Sequence, residues 1–145
     1  MSLKEILKPG ITGFSPALRH DISKFEKSLF TAIIQINGRV LSKDLELLGK
    51  NFYTYEIEIN KNILYLLLNS VYPFIAFARK VEYGGIDFCD STELIIDDYY
   101  PIINKDILNA TITEEDLKDL YKDEIKQIRY WNVSKIGDVL FNYFD

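Results

Sequence analysis

The sequence predicts an α+β domain: an antiparallel sheet of about four to five strands flanked by N- and C-terminal helices. The middle of the chain alternates apolar and polar residues with a period of two, the pattern of half-buried strands. On either side, apolar residues recur at helical spacing behind N-cap residues. Because the 145 residues are 48% hydrophobic and contain no repeat or flexible linker, we expect residues 1–145 to form a single domain.

The N-terminal helix is predicted from a capping signal and an apolar face. Ser15 followed by Pro16 is typical of an N-cap with proline in the first turn. Apolar residues at helical spacing then define one face, formed by Leu18, Ile22, Phe25 and Leu29.

The segment after this helix has two interpretations. Residues 30–36 form an apolar run rich in β-branched residues, which favours a strand. Asn37 and Gly38 are the pair most favoured in two-residue hairpin turns, so a return strand through Val40 and Leu41 is expected. A helix that continues through Ile36 is the alternative, because periodicity alone does not assign a short apolar run.

The middle of the chain predicts a meander of antiparallel strands. Residues 52–59 alternate, and residues 63–68 are apolar on both faces, as in a central strand. Further strands are expected over residues 74–81 and 86–89. Turns are expected at residues 60–62, at residues 69–73, and at Gly84 and Gly85.

The C-terminal third returns to helical signals. Thr113 is an N-cap candidate followed by acidic residues at 114–116, and apolar residues continue at helical spacing to Ile128, with a break near Lys122 and Asp123. A last helix is expected to begin at Ser134. Its apolar side would carry Ile136, Val139, Leu140 and Tyr143 or Phe144.

The residues predict no catalytic centre, so we expect no enzyme, no cofactor and no metal site. His20 is the only histidine, which excludes a histidine pair. Cys89 has no candidate base beside it and is interpreted as a small core residue. Glu56 and Glu58, followed by Lys61, faintly resemble a nuclease strand, but alternation already explains both glutamates as the solvated face of a strand.

The cysteine count and the apolar stretches of the sequence also indicate the cellular compartment. A lone cysteine forms no intrachain disulfide, which suits a reducing cytoplasm. The most apolar stretch, residues 63–78, is interrupted by polar residues and proline and is shorter than the ~20 residues of a spanning helix. We therefore expect a cytoplasmic protein without a membrane partner.

Charge is concentrated in one part of the chain. Residues 87–124 carry twelve acidic residues against three lysines, whereas residues 1–86 and 125–145 are slightly basic, and the whole chain has a formal net charge of −5. A concentrated negative field attracts a basic partner and repels nucleic acid. Solvation alone is the alternative explanation, and helix N-terminal preference explains the acids at 114–116.

The candidate partner-binding surface is the acidic and tyrosine-containing part of this stretch. An acidic rim around exposed tyrosines has the composition of a protein–protein interface. The predicted site residues are Asp87, Asp90, Glu93, Asp97, Asp98, Tyr99 and Tyr100.

The C-terminal stretch, residues 128–145, resembles the terminal signature of the immunity proteins of bacterial contact-dependent growth-inhibition and related polymorphic toxin systems. The residues that carry the resemblance are Trp131, Ile136, Gly137, Asp138, Phe141, Asn142, Tyr143, Phe144 and Asp145. The family has tryptophan where this chain has Phe144. From the residues themselves, we expect Gly137 to allow close packing, Trp131 and Phe141 to fill the core, and Asn142 to bind a neighbouring backbone.

The resemblance implies a function. Immunity proteins bind a cognate toxin domain, often a basic nuclease, and block it, which agrees with the acidic stretch. A non-catalytic small-molecule or regulatory binding domain is the alternative, favoured if the tyrosines converge on a deep pocket. An enzyme would require three or more carboxylates around a metal ion.

Overall fold

The computed structural model describes residues 2–14, 21–83, 85–91 and 93–144. Its sheet is antiparallel, with the strands in sequence order: β1 Arg39–Asp44, β2 Phe52–Ile59, β3 Asn62–Asn69, β4 Ile75–Glu82 and β5 Gly85–Cys89. The described helices are α1 Leu3–Ile6, α2 Ile22–Gln35, α3 Lys105–Leu108, α4 Glu114–Leu117, α5 Lys122–Tyr130 and α6 Gly137–Leu140. The predicted α+β class and the sheet meander are confirmed.

The sheet forms as its alternation predicts. On β2 the residues from Tyr53 to Ile59 that face α2 are buried, whereas Glu56 and Glu58 on the opposite face are half-buried. Asn60 and Lys61 both have positive φ angles, 51° and 67°, as a two-residue turn requires, and they join β2 to β3 in register.

The sheet is the middle of three layers, and a separate hydrophobic cluster packs on each of its faces. On one face, α2 and residues 94–100 pack through Phe25, Leu29, Ile33, Leu94, Ile96 and Tyr100. On the other face lie α1 and the C-terminal helices. The buried residues of this layer include Ile6, Leu7, Leu108, Leu117, Ile128, Val139 and Phe141.

The predicted strand over residues 30–36 is wrong, and the alternative helix is observed. α2 runs to Gln35, and Asn37 has a φ of 56°, the left-handed conformation that ends a helix. The Gly38 amide then donates to the Ile33 carbonyl at 2.9 Å, which satisfies one of the last helical acceptors. The Asn-Gly pair therefore supplies positive φ to a helix C-terminus instead of to a hairpin, and β1 still begins directly afterwards.

The start of α2 differs from the prediction in part. Asp21 is its N-cap, with the side chain accepting from the Ser23 amide at 2.9 Å. The predicted cap at Ser15 and Pro16, and Leu18 on the apolar face, lie outside the described residues. Phe25 and Leu29 are fully buried, as predicted.

The C-terminal helices are shorter than predicted. Thr113 does cap α4 in a capping box with Asp116, and the expected break falls just before α5. The last helix, however, begins at Gly137 and not at Ser134, because Ser134 and Lys135 pair with the backbone of residues 111 and 112. Tyr143 and Phe144 follow α6 and belong to no helix or strand.

Three buried asparagines connect the sheet to both ends of the chain. Asn51, which precedes β2, donates to the Ile11 and Leu140 carbonyls at 2.9 and 3.0 Å. Asn69, which ends β3, donates to the same two carbonyls at 3.1 and 2.8 Å. The backbone N–H of Asn142 donates to the side-chain oxygen of Asn51 at 2.7 Å. All three asparagines are at most 4% exposed. We call these three residues the asparagine cluster.

A buried carboxylate holds the N-terminal loop against α5. Glu124 has no exposed surface and accepts from the Gly10 amide at 2.7 Å and the Thr12 amide at 3.0 Å. It also accepts from the Thr12 hydroxyl at 2.6 Å and the Tyr121 amide at 3.1 Å. Four donors satisfy the carboxylate, which is the condition for burying a charge at an acceptable cost.

Glu124→Gln should destabilise the protein by about 3 kcal/mol, because the new amide group turns a donor toward buried N–H groups. Urea unfolding followed by circular dichroism measures this change. Asp123→Asn, at the exposed neighbouring position, is the matched control and should leave the midpoint nearly unchanged. Equal midpoints for the two variants would contradict the structural role given to Glu124.

Gly137→Ala should destabilise the protein by about 1–3 kcal/mol through overpacking. A Cβ at this position would overlap the Phe88 ring and lie 2.9 Å from the Leu108 carbonyl oxygen. Gly85→Ala is the control, because a Cβ there meets no atom within 4 Å. Thermal unfolding of both variants is the measurement, and a Gly137→Ala protein as stable as Gly85→Ala would be the contrary result.

Candidate functional site

The first two predicted acidic residues lie at the β5 edge of the sheet. Asp87 is exposed on β5, opposite Lys80 of β4 in the strand register. Asp90 follows β5, and its carboxylate accepts from the Lys105 amide at 2.8 Å. This hydrogen bond places the start of α3, and with it Asp106, beside the β5 edge.

The next predicted residues lie on the outer side of the layer that contains α2. Leu94 and Ile96 are buried against the sheet, so the alternate residues Glu93, Ile95 and Asp97 are exposed. Asp97 accepts from the Tyr99 amide at 2.8 Å. Tyr99 is half exposed, and a lysine of α2, Lys24, lies over its ring at 4.8 Å from the centroid.

Tyr100 corrects the expectation that both tyrosines of this segment are exposed. Its side chain is only 3% exposed, and its ring lies 5.0 Å from that of Phe25 in an edge-on contact. Burial raises the pKa of the Tyr100 hydroxyl. Tyr100 therefore anchors the segment to α2, and Tyr99 is the tyrosine of the pair that is available to a partner.

The remaining acids of residues 87–124 divide by role. Glu124 is buried, Asp116 closes the α4 capping box, and Glu114 and Glu115 form ion pairs with Arg129 and Lys118. Eight carboxylates stay exposed and form no ion pair with any described residue. We call them the acidic surface: Asp87, Asp90, Glu93, Asp97, Asp98, Asp106, Asp119 and Asp123.

The acidic surface is spread over both outer layers and the β5 edge, and does not occupy one flat face. Glu93, Asp97 and Asp98 belong to the α2 layer, whereas residues 106–123 belong to the opposite layer. Asp87 and Asp90, at the sheet edge, stand between them. Residues 1–86 differ, because half of their eight acids form ion pairs: Glu26, Asp44, Glu58 and Glu82.

The residues considered for catalysis have structural environments. Burial, the largest effect, raises the pKa of the Cys89 thiol, which disfavours the reactive thiolate. Glu58 pairs with Arg39 at 2.9 Å, and Glu56 accepts from the Tyr65 hydroxyl at 3.3 Å. His20 lies outside the described residues. Within the described ranges, no three His, Cys, Asp or Glu side chains are grouped so that they could hold a metal ion.

Three of the four structural predictions for the C-terminal motif are confirmed, and Asp145 lies outside the described residues. Gly137 packs directly against Phe88, Phe141 is 1% exposed, and Asn142 donates to the Thr12 carbonyl at 3.0 Å. Trp131 does not fill the core, because 40% of it is exposed. Its indole N–H donates to the Phe144 carbonyl at 3.0 Å, which ties the ring to the C-terminal segment at the surface.

Trp131 borders a surface cleft of about 240 Å³ between the β4–β5 hairpin and the C-terminal segment. We call it the C-terminal cleft. Its lining includes Tyr83, Ile86, Trp131, Asp138, Phe141 and Tyr143. Asp138 is half-buried there, and its carboxylate forms neither a hydrogen bond nor an ion pair with the described residues. Burial raises the pKa of this carboxyl, against a smaller lowering by Lys135.

Sequence reasoning placed the motif in the scaffold and did not identify this cleft. The spacing of Trp131, Asp138 and Tyr143 carries no recognisable ligand pattern, and Tyr83, which lies beside them in the cleft, is far from them in the sequence. Asp138 itself was a signal in the sequence, because an acidic residue between the apolar residues of a buried helix needs a polar partner or has a function.

Comparisons with protein families, with curated proteins and with solved structures found no match for this chain. No helix in the described ranges has both the length and the apolar character needed to cross a membrane.

Asp138→Asn should stabilise the protein more at about pH 7 than at about pH 3.5. A carboxyl with a raised folded pKa binds its proton more tightly in the native state, so its contribution to stability falls as pH rises from the unfolded pKa, ~3.9, through the folded value. Asparagine does not ionise, so the Asp138→Asn protein does not lose this stability as pH rises. Urea unfolding of both proteins at the two pH values tests it, and a constant difference would mean that Asp138 ionises without penalty.

Proposed function

We propose that this chain is a non-catalytic protein-binding domain that docks a basic protein partner through the acidic surface. The partner class that best fits the C-terminal resemblance is a toxin domain, such as a basic nuclease, which the chain would bind and neutralise as an immunity protein. The proposed contact residues are those of the acidic surface, with Tyr99 beside them.

The observation that carries the proposal is the unequal pairing of charge. Ten of the twelve acids in residues 87–124 lack an ion pair with any described residue, and eight of those ten are exposed. Carboxylates placed only for solubility are usually interspersed with cations, as they are in residues 1–86. An excess of unpaired negative charge instead accelerates encounter with a positively charged partner.

The same region offers apolar contact area. Ile95 is 81% exposed between Glu93 and Asp97, and Tyr99 is 53% exposed. An exposed aromatic and an aliphatic residue within a charged rim match the usual anatomy of an interface, in which the rim steers and the centre binds. The backbone that carries them is anchored by Leu94, Ile96 and Tyr100, so the surface is held in place before a partner arrives.

Charge reversal in the acidic surface should slow association with the partner on the order of ten-fold at low salt and reduce its salt dependence. The experiment uses the product of the adjacent upstream gene as the candidate partner. Asp98→Lys, alone and with Asp97→Lys, is compared with the unchanged chain by stopped-flow or surface plasmon resonance.

Glu46→Lys is the matched control for this experiment. Glu46 is exposed in the β1–β2 connection, at the opposite edge of the sheet from β5, and forms no ion pair with the described residues. Glu46→Lys changes the net charge as much as Asp98→Lys does. Because Glu46 lies away from the acidic surface, this substitution should alter association only slightly. Equal effects of Asp98→Lys and Glu46→Lys on association would show that the acidic surface does not bind the partner. If the unchanged chain does not bind this partner at all, the partner itself is wrong.

A further inference from the structure

The C-terminal cleft combines three aromatic rings with one carboxylate that lacks a partner. Tyr83, Trp131 and Tyr143 line it, and Asp138 projects from α6 beside them. None of these residues belongs to the acidic surface, so the cleft is a second, separate candidate site. Its volume of about 240 Å³ is below the ~300–1,000 Å³ of pockets that enclose a whole drug-sized ligand, and it suits one side-chain-sized group.

The aromatic walls are held in place before any ligand binds. The Trp131 indole is fixed by its hydrogen bond to the Phe144 carbonyl, at 3.0 Å. The Tyr143 ring lies edge-on to Phe52, with centroids 5.4 Å apart, and Tyr83 packs edge-on to Tyr143 at 5.5 Å. Rings that are already ordered lose little conformational entropy on binding, which favours recognition of a small group.

The charge in the cleft selects the kind of ligand. Asp138 is half-buried, and Lys135 is near enough to act on it but forms no ion pair with it. The other charge that acts on the lining, Asp44 near Tyr143, is already paired with Lys50 at 2.8 Å. A desolvated carboxylate gains from a cation, and the faces of Trp and Tyr attract cations, whereas an anion would be repelled by Asp138.

We propose that the C-terminal cleft binds a guanidinium or alkylammonium group, which lies between the rings of Trp131, Tyr83 and Tyr143 and pairs with Asp138. An arginine or lysine side chain of a protein partner carries this chemistry, and so does a free amine. Cation binding in the C-terminal cleft does not depend on partner binding by the acidic surface, so an experiment can exclude one without excluding the other.

Trp131 is the only tryptophan in the chain, so its fluorescence reports directly on the cleft. The probes are N-acetyl-arginine methylamide and N-acetyl-lysine methylamide for the side-chain source, and agmatine for the free-amine source. N-acetyl-citrulline methylamide, which keeps the shape of arginine without its charge, is the ligand control. We expect saturable changes at roughly millimolar concentrations with the cations and at least several-fold weaker binding of citrulline.

Variants of the chain complete the test. Asp138→Asn should weaken binding of the cationic probes on the order of ten-fold, and Tyr83→Leu several-fold. Glu46→Gln makes the same carboxylate-to-amide change at an exposed position outside both candidate sites and should leave binding unchanged. A saturable response to both amides and agmatine supports the shared chemistry, and a response to one source alone assigns the cleft to that source. No saturable response to any cation, or equal curves for arginine and citrulline, overturns the proposal.

Discussion

The asparagine cluster is the constraint on which the rest of the structure depends. Asn51 and Asn69 sit at the same end of neighbouring strands, and each donates to the Ile11 and Leu140 carbonyls, so one pair of side chains fixes both the N-terminal loop and the end of α6. Unsatisfied amides in this position would cost on the order of a few kcal/mol, because no water reaches them. Apolar residues would fill the same volume but would not specify which backbone segments meet there.

This constraint extends from the core to the surface. Asn142 belongs to the cluster, and the two residues after it are Tyr143, which packs on Phe52, and Phe144, whose carbonyl orders Trp131. On the other side, Glu124 holds the same N-terminal loop through Gly10 and Thr12. The aromatic walls of the C-terminal cleft are therefore set by buried polar contacts and not by the surface residues themselves. The C-terminal residues thus serve both the packing of the core and the shape of the cleft.

The two candidate sites use charge differently. The acidic surface presents solvated carboxylates over two layers and the β5 edge, where each is screened by water and salt and acts mainly by its contribution to a common field. Asp138 stands alone, but it is half-buried beside aromatic rings, so a cation that reaches it forms a stronger local interaction. The first arrangement suits rapid encounter with a basic surface, and the second suits recognition of one cationic group.

Local patterns in the sequence are enough to predict the α+β class, the sheet from β2 to β5, the cap at Thr113 and the concentration of acid in residues 87–124, because alternation, turn residues and charge are local properties of the chain. Tertiary structure decided the rest. Residues 30–35 form helix because the buried face of α2 packs on the sheet. Tyr100 is buried in the core while Tyr99 is exposed, and Glu124 is buried where it binds the N-terminal loop. Each outcome depends on contacts between residues far apart in the chain, and local patterns do not encode which distant backbone a side chain will meet.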